Sequence, residues 1–171
     1  MARLFAAVAL AVVSLGSAVA ARAQDDVKKS PSCVHCGMDR EKFAQSRMVL
    51  DYDDGSSAGL CSLHCAAVDL AIHIDKSPKA IWVADFGTKK LVDAEKAWWV
   101  LGGTKPGVMT KRAKWAFETR EAAEAFARES GGTVAAFEEA VKASYEDMYA
   151  DTKMIREKRK AMKAKAAEKK N

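Results

Sequence analysis

A chain of 171 residues with 49% hydrophobic residues has room for one ordinary domain or two very small ones that share a core, which excludes a large multidomain protein. The formal net charge of +5 is concentrated at one end, because residues 151–171 carry nine Lys or Arg against three acidic residues. The remainder of the chain lacks the basic face that nucleic-acid binding requires, so we predict no nucleic-acid partner and at most peripheral membrane contact through the basic tail.

The first 23 residues have the pattern of a secretory signal peptide. A basic residue precedes an apolar run from Leu4 to Ala21, and the small residues Ala21 and Ala23 fit a cleavage site. We therefore predict export to the periplasm with cleavage after Ala23, or a membrane-anchored protein if the segment is not cleaved. The polar residues 24–32 are predicted to form a linker.

The hydrophobic pattern from residue 33 onward predicts an α+β fold with two successive small ββαβ units, about 33–86 and 94–136. The predicted elements are a hairpin over 45–60, a helix over 61–74, strands over 79–86, 97–103 and 114–119, a helix over 120–130 and a strand over 133–135. Thr119 is a suitable N-cap for the second helix, and two glycines end it. Residues 137–171 are predicted to form a long C-terminal helix that packs at its start and ends in a Lys-rich tail.

All four cysteines lie in two close pairs. Two residues separate Cys33 from Cys36, three separate Cys61 from Cys65, and 24 residues lie between the pairs. This spacing allows four thiolates to meet at one point, with one pair on a tight turn and the other one helical turn apart at a helix start. The helix start is also expected to favour the thiolate charge.

Three kinds of site are compatible with this spacing. Disulfides are common in exported proteins, and a closed zinc site with four thiolates fits the two pairs. A soft-metal site, chiefly for Cu(I), is favoured by Met38, because thiolate and thioether ligands select Cu(I). Covalent haem attachment is excluded because Gly37, not histidine, follows Cys36. Thioredoxin-like chemistry is disfavoured because the first pair does not lie within a βαβ unit.

Two histidines lie inside the cysteine pairs. His35 and His64 could join a metal site or tune a thiolate, but we favour the interpretation that they are exposed neighbours of the cysteines, and we interpret His73 as a residue at the surface or the edge of the core. No arrangement suited to nucleophilic or acid–base catalysis is found, so the protein is predicted not to be an enzyme.

Several of these segments resemble the NosL family, the nitrous oxide reductase accessory proteins. The resemblance runs from about Cys33 to Gly132, and its most specific parts are Cys36-Gly37-Met38 and the loop KPGVMT, which contains Met109. It implies a pair of ββαβ units and a periplasmic Cu(I) chaperone. Such a chaperone would take copper from an upstream donor and deliver it to a copper enzyme such as nitrous oxide reductase.

By position, the resemblance implies that Cys36 and Met38 are Cu(I) ligands and that Met109 is a third. The full set of predicted metal-binding residues is Cys33, Cys36, Met38, Cys61, Cys65 and Met109. The stretch CSLHC is richer in thiols than the family pattern, so Zn(II) remains the alternative metal. The alternative function is accordingly an exported binding module, stapled by zinc or disulfides, with no role in metal transfer.

Overall fold

The structure, a computed structural model, describes residues 25–169, so the predicted signal peptide lies outside the described residues. The described chain forms the predicted α+β fold, with two antiparallel sheets and helices packed against them. The elements in chain order are α1 (Asp25–Lys29), β1 (Met48–Tyr52), β2 (Ser57–Leu60), α2 (Leu63–Ile72), β3 (Pro78–Ala84), β4 (Leu91–Asp93), β5 (Trp98–Leu101), β6 (Lys114–Phe117), α3 (Arg120–Ser130), β7 (Thr133–Ala135) and α4 (Phe137–Glu168).

The first ββαβ unit builds a four-stranded sheet in the order β2-β1-β3-β4. Burial alternates along β1, where Met48, Leu50 and Tyr52 are buried, as expected for a strand with one face on a core. Strand β4 pairs with β3. It was not predicted from the sequence, because it has only three residues, all half-buried, and they show no alternation of apolar and polar side chains. Each helix and strand predicted for this unit is present.

The second unit builds a three-stranded sheet in the order β6-β5-β7 and packs α3 against it. Thr119 caps α3 as predicted, because its hydroxyl oxygen accepts a hydrogen bond from the Ala122 N–H at 3.3 Å. Gly131 ends the helix with φ 74°, a left-handed conformation that glycine adopts without steric cost. Capping and periodicity are local properties, which is why the sequence predicts this helix well.

Contacts at the end of β3 fix the two units to one another. Asp85 forms a parallel bridge with Ala116, and the Phe86 N–H donates to the Ala116 carbonyl at 2.8 Å. The Phe86 ring packs edge-on against Trp115 with centroids 4.9 Å apart, and also against Phe126 of α3. The two sheets therefore share one aromatic core.

Helix α4 leaves the second unit and packs along α2 of the first. Its buried residues lie in the first half, from Phe137 to Asp151, and every residue from Arg156 to Lys169 is exposed. The predicted change from a packed start to a solvated basic end is therefore observed. No helix in the described part of the chain is long and apolar enough to cross a membrane.

The segment predicted as a linker contains α1 and is fixed to the body by a buried arginine. Arg40 is fully buried and donates to the Ser30 carbonyl at 2.6 Å and to the Asp26 carboxylate at 2.8 Å. Arg47 donates to the same carboxylate at 3.0 Å. These contacts hold the start of the described chain beside the first cysteine pair.

Candidate metal centre

Four cysteine side chains meet at one point in the first unit. Their Sγ atoms all lie within 4.8 Å of one another, and all four are free thiols. The Sγ atoms of Cys36 and Cys61 are 3.4 Å apart, and those of Cys61 and Cys65 are 3.7 Å apart. The predicted convergence of the two cysteine pairs is therefore observed.

A tight turn over residues 33–38, here called the knuckle, presents the first pair. The Cys33 N–H donates to the Met38 carbonyl at 2.8 Å, and the Gly37 N–H donates to the Cys33 carbonyl at 2.9 Å. Gly37 has φ 73°, which favours glycine at this position. The Val34 N–H donates to the Gly59 carbonyl at 3.1 Å, so the knuckle is attached to β2 just before the second pair.

The close approach of Ser30 and Arg40, which lie on either side of the knuckle in the sequence, to β2 depends on Gly59. A Cβ atom at this position would lie 2.5 Å from Ser30 Cβ and 2.9 Å from Arg40 Nη1, so no other residue fits without a backbone shift. The Arg40 guanidinium fills the space next to it and donates to the carbonyls of Leu60 and Met48 at 3.1 and 3.0 Å.

The second pair comes from the junction of β2 and α2. Cys61 precedes the N-cap residue Ser62, whose φ of −168° is extended, and Cys65 is the third residue of α2. The sequence predicted that both cysteines lie on one face of the helix. This prediction is wrong, because the helix begins two residues after Cys61. The Ser46 hydroxyl fixes the Cys61 carbonyl with a hydrogen bond of 2.8 Å.

Access to the cluster is uneven. Cys33, Cys61 and Cys65 are at most 2% exposed, whereas Cys36 is half-buried. Arg159 of α4 lies beside Cys36 and donates to its carbonyl oxygen at 2.8 Å. An ion or ligand can therefore approach the cluster on the side of Cys36.

The pKa values of the four thiols are shifted in different directions. Hydrogen bonds from Cys36, Cys61 and Cys65 stabilise the Cys33 thiolate and hold its pKa far below the ordinary value. The Cys33 thiolate acts to raise the pKa of Cys36, but hydrogen bonds from Cys61 and Cys65 outweigh it and bring this pKa to about 7.

Interaction with Cys33 raises the pKa of both Cys61 and Cys65. The pKa is therefore lowered for the two cysteines of the knuckle and raised for Cys61 and Cys65, which is the opposite of the thiolate preference predicted for the helix start. A metal ion that binds all four sulfurs would displace the remaining protons.

His35 is not the exposed neighbour that we predicted. It is half-buried, and its Nε2 atom lies 2.6 Å from Oδ1 of Asp69, which is fully buried in α2. The other oxygen of Asp69 accepts a hydrogen bond from the Tyr52 hydroxyl and lies 3.5 Å from His73 Nδ1. This network joins the knuckle to α2 and β1. The sequence signal for it was an acidic residue within an otherwise apolar helix.

His64 also differs from its prediction, because it is only 4% exposed. Its Nδ1 atom lies 3.7 Å from Oδ2 of Asp151 on α4, and neither atom has a hydrogen-bond partner among the described residues. Burial lowers the pKa of His64, so the ring is neutral at physiological pH. His64 therefore belongs to the contact between α2 and α4.

The loop that contains Met109 borders the start of α2. Its neighbours Val108 and Thr110 line a small cavity together with Ser62, Leu63 and His64. Met109 is half-buried and has φ 62°, a left-handed conformation that is uncommon for residues other than glycine.

Helix α4 fixes the loop, because the Lys111 N–H donates to Asp151 Oδ1 at 3.0 Å. Met38 is also half-buried against the core. The roles of both methionines as ligands remain predictions.

Comparisons with known proteins give one family and one fold. A family model described as NosL matches residues 24–145, and the match ends within α4. The crystal structure of the copper chaperone NosL from Shewanella denitrificans is similar over 64% of this chain and 89% of that chain, with 22% identity and a TM-score of 0.53. The solution NMR structure of the apo-NosL protein from Achromobacter cycloclastes matches over 53% and 81%, with 24% identity and a TM-score of 0.37. No curated protein matches the chain.

Proposed function

The chain belongs to the NosL family, and on this premise we propose that it is an exported Cu(I) chaperone. It takes Cu(I) from an upstream donor and passes it to a copper enzyme, for which nitrous oxide reductase is the candidate. The observation that carries the proposal is the cluster of four free thiols, three of them buried and one accessible. Its role is to bind and transfer an ion, not to catalyse a reaction.

The sulfur positions support binding of a single ion. An ion about 2.3 Å from four tetrahedral sulfurs places those sulfurs about 3.8 Å apart. The separations of 3.4 and 3.7 Å, and the upper limit of 4.8 Å, lie on either side of this value. Small side-chain movements are therefore sufficient to bring all four sulfurs to one ion.

Two methionines favour Cu(I) over harder ions, because a thioether is a soft ligand. Met38 follows Cys36 on the knuckle. Met109 occupies a left-handed backbone position that costs a residue with a side chain about 1 kcal/mol or more. Glycine would adopt this backbone conformation at a lower energetic cost. The presence of methionine here therefore supports a role for its thioether.

The accessibility of Cys36 supports transfer. A carrier must exchange its ligands with those of an acceptor, and a fully enclosed ion cannot do so quickly. Cys36 is half-buried and sits at the open side of the cluster, so an acceptor thiolate or imidazole can replace it first. In this proposal Cys36 and Met38 carry the ion, and Met109 and the remaining cysteines complete or support the site.

The same tetrahedral fit favours a second candidate, a closed Zn(II) site that staples the knuckle to α2. This site would use all four cysteines and neither methionine. The protein would then be an exported binding module, and its function would depend on another surface.

Native mass spectrometry separates the two candidates. The full chain is expressed, and its mature form is purified without oxygen and offered one equivalent each of Cu(I) and Zn(II). A Cu(I) chelator such as bicinchoninate is then added. The expected result is retention of one Cu(I), which the chelator removes while the circular dichroism of the protein is unchanged. Cys36→Ser should lose most of the bound copper.

Two results would contradict the chaperone. Selective retention of zinc in the presence of Cu(I) would identify a zinc site. Loss of the fold when the metal is removed would identify a structural staple, because a carrier must remain folded after it releases its ion.

A further inference from the structure

The exposed end of α4 carries the net positive charge of the protein. From Lys153 to Lys169 the helix end contains eight Lys or Arg and two Glu. Every residue from Arg156 to Lys169 is exposed, and this stretch extends the helix by about 20 Å at 1.5 Å per residue. Such a length of solvated helix contributes little to the core, which raises the question of what it contacts.

The positive charges are arranged in two groups around the helix axis. Successive residues turn by about 100°, which places five basic residues within an arc of about 120°. We call this set the basic stripe, and it consists of Lys153, Arg156, Arg159, Lys160 and Lys163. The opposite face carries Lys158, Lys165 and Lys169, and the two glutamates lie between the two groups at one side.

The basic stripe runs past the accessible side of the cysteine cluster. Arg159 belongs to the stripe, and its guanidinium donates to the Cys36 carbonyl at 2.8 Å. Cys36 is the half-buried cysteine of the four. The stripe and the open side of the metal site are therefore adjacent, although they are 123 residues apart in the sequence.

We propose that the basic stripe is a docking surface for an acidic protein surface, which it holds next to Cys36. The proposal rests on the proposed function in one respect, since it identifies the docked protein as the one that exchanges the ion. Complementary charge raises the rate of encounter and orients the partner. A partner aligned along the stripe presents its ligands to the one cysteine that can be reached.

A lipid surface fits the helix end less well. Helices that lie in a membrane interface bury a face rich in large apolar residues. Between Arg156 and Lys169 the only large apolar residue is Met162, and the other uncharged residues are alanines. Contact with an anionic membrane would therefore be electrostatic only, with no preference for the stripe over the opposite face.

A labelled acidic peptide tests the proposal without copper. The probe is a fluorescein-labelled peptide of ten glutamates, and its anisotropy is followed as the reduced, metal-free protein is added at low salt. The stripe variant combines Arg156→Gln, Lys160→Gln and Lys163→Gln. The matched control combines Lys158→Gln, Lys165→Gln and Lys169→Gln, which removes the same charge from the same exposed helix.

We expect the stripe variant to bind the peptide about tenfold more weakly, as the loss of three exposed ion pairs implies, and the control variant to change by about twofold or less. Binding by the unmodified chain should weaken steeply with added salt. Circular dichroism should show the same helix content in all three proteins. Because no metal is present, a failure of Cu(I) binding would leave this result intact, and the reverse also holds.

Three results would overturn the proposal. Equal losses of peptide affinity in the two variants would show that the helix end binds acidic partners through its overall charge and not through the basic stripe. Tighter binding to phosphatidylglycerol vesicles than to the peptide, unaffected by the choice of face, would show that the helix serves a membrane. Salt-sensitive self-association that is lost in the stripe variant would show that the acidic partner is a second copy of the chain.

Discussion

Asp69 shows how one buried side chain fixes the knuckle. It is fully buried, and its two carboxylate oxygens bind His35 from the knuckle and Tyr52 from β1. Burial and the neighbouring carboxylate hold the pKa of Tyr52 well above its ordinary value, so its hydroxyl remains a donor. Hydrogen bonds to two such partners compensate for the burial of the carboxylate. If the carboxylate is removed, each partner is left without its hydrogen bond, which lowers the free energy of unfolding.

We therefore expect Asp69→Asn to lower the free energy of unfolding by about 2 kcal/mol, because hydrogen bonds to a buried charge are lost. Tyr52→Phe removes one of these bonds and keeps the charge, and should cost about 1 kcal/mol. Urea unfolding of the reduced protein measures both values. Equal stability of Asp69→Asn and the unmodified protein would show that the network does not hold the knuckle.

The two methionines are tested by replacement with leucine, which nearly conserves volume and removes the thioether. Leucine is chosen because a β-branched residue would be strained at the φ of 62° observed for Met109. If both sulfurs bind the ion, Met38→Leu and Met109→Leu should each weaken Cu(I) binding about tenfold or more, with unfolding free energies changed by less than about 1.5 kcal/mol.

Competition with a Cu(I) chelator gives these affinities, and Met162→Leu is the control. Met162 is 70% exposed on α4, so its replacement should change neither quantity. A methionine whose replacement leaves the affinity unchanged is not a ligand.

At the scale of elements, α4 acts as a brace for the loop that contains Met109. Asp147 of α4 accepts hydrogen bonds from Arg112 and Lys114, both at 2.8 Å, and Asp151 accepts the Lys111 N–H at 3.0 Å. Lys114 is buried, so its charge depends on Asp147 as a partner. The helix therefore fixes where the loop meets the start of α2.

The ion pairs of Asp147 predict a pH-dependent contribution to stability. Burial acts to raise the pKa of Asp147, but hydrogen bonds from Arg112 and Lys114 outweigh it, and the pKa is lowered. A carboxyl group of this kind stabilises the fold fully above its unfolded pKa of about 3.9, and the stabilisation is lost as the pH falls through the lower folded value.

Asp147→Asn should therefore destabilise the protein by about 2 kcal/mol at neutral pH, where it leaves the buried Lys114 without its charged partner. The difference from the unmodified protein should shrink as the pH falls from about 5 to 3. Urea unfolding across this range measures it. Glu146→Gln is the control, because this side chain is 53% exposed and its pair with Arg112 should contribute little. A difference that is constant with pH would mean that the ion pairs are not its source.

For the whole molecule, a metal ion held by the four cysteines would join two segments of the first unit that the fold already holds together. The backbone hydrogen bond from Val34 to Gly59 fixes the knuckle to β2, and the aromatic core extends through both units. The body is thus expected to fold without metal, and the ion adds stability by binding only to the folded form.

At a free Cu(I) concentration about 100 times the dissociation constant, this linkage contributes about 2.7 kcal/mol. It should raise the Tm by about 5–10 °C in a chain of this size. Differential scanning fluorimetry of the metal-free and Cu(I)-loaded protein measures the shift, and addition of the chelator should reverse it. A metal-free protein with no cooperative transition would instead indicate a structural staple.

The sequence by itself determined the two ββαβ units, the long C-terminal helix and the cysteine spacing that allows four sulfurs to meet, but it did not indicate α1 or β4. These features depend on short-range information. Periodicity over ten residues predicts α3, Thr119 and Gly131 mark its ends, and the spacing of each cysteine pair restricts where its sulfurs can lie. The resemblance to NosL was recognisable for the same reason, since its motifs are contiguous.

Only the tertiary structure decided which cysteine is accessible and which residues the histidines contact. His35 meets Asp69 across 34 residues, and Arg159 meets Cys36 across 123. Strand β4 forms only because β3 lies beside it. Such contacts join residues that are far apart in the sequence and come together only in the folded chain. The hydrophobic pattern of the neighbouring residues therefore does not predict them.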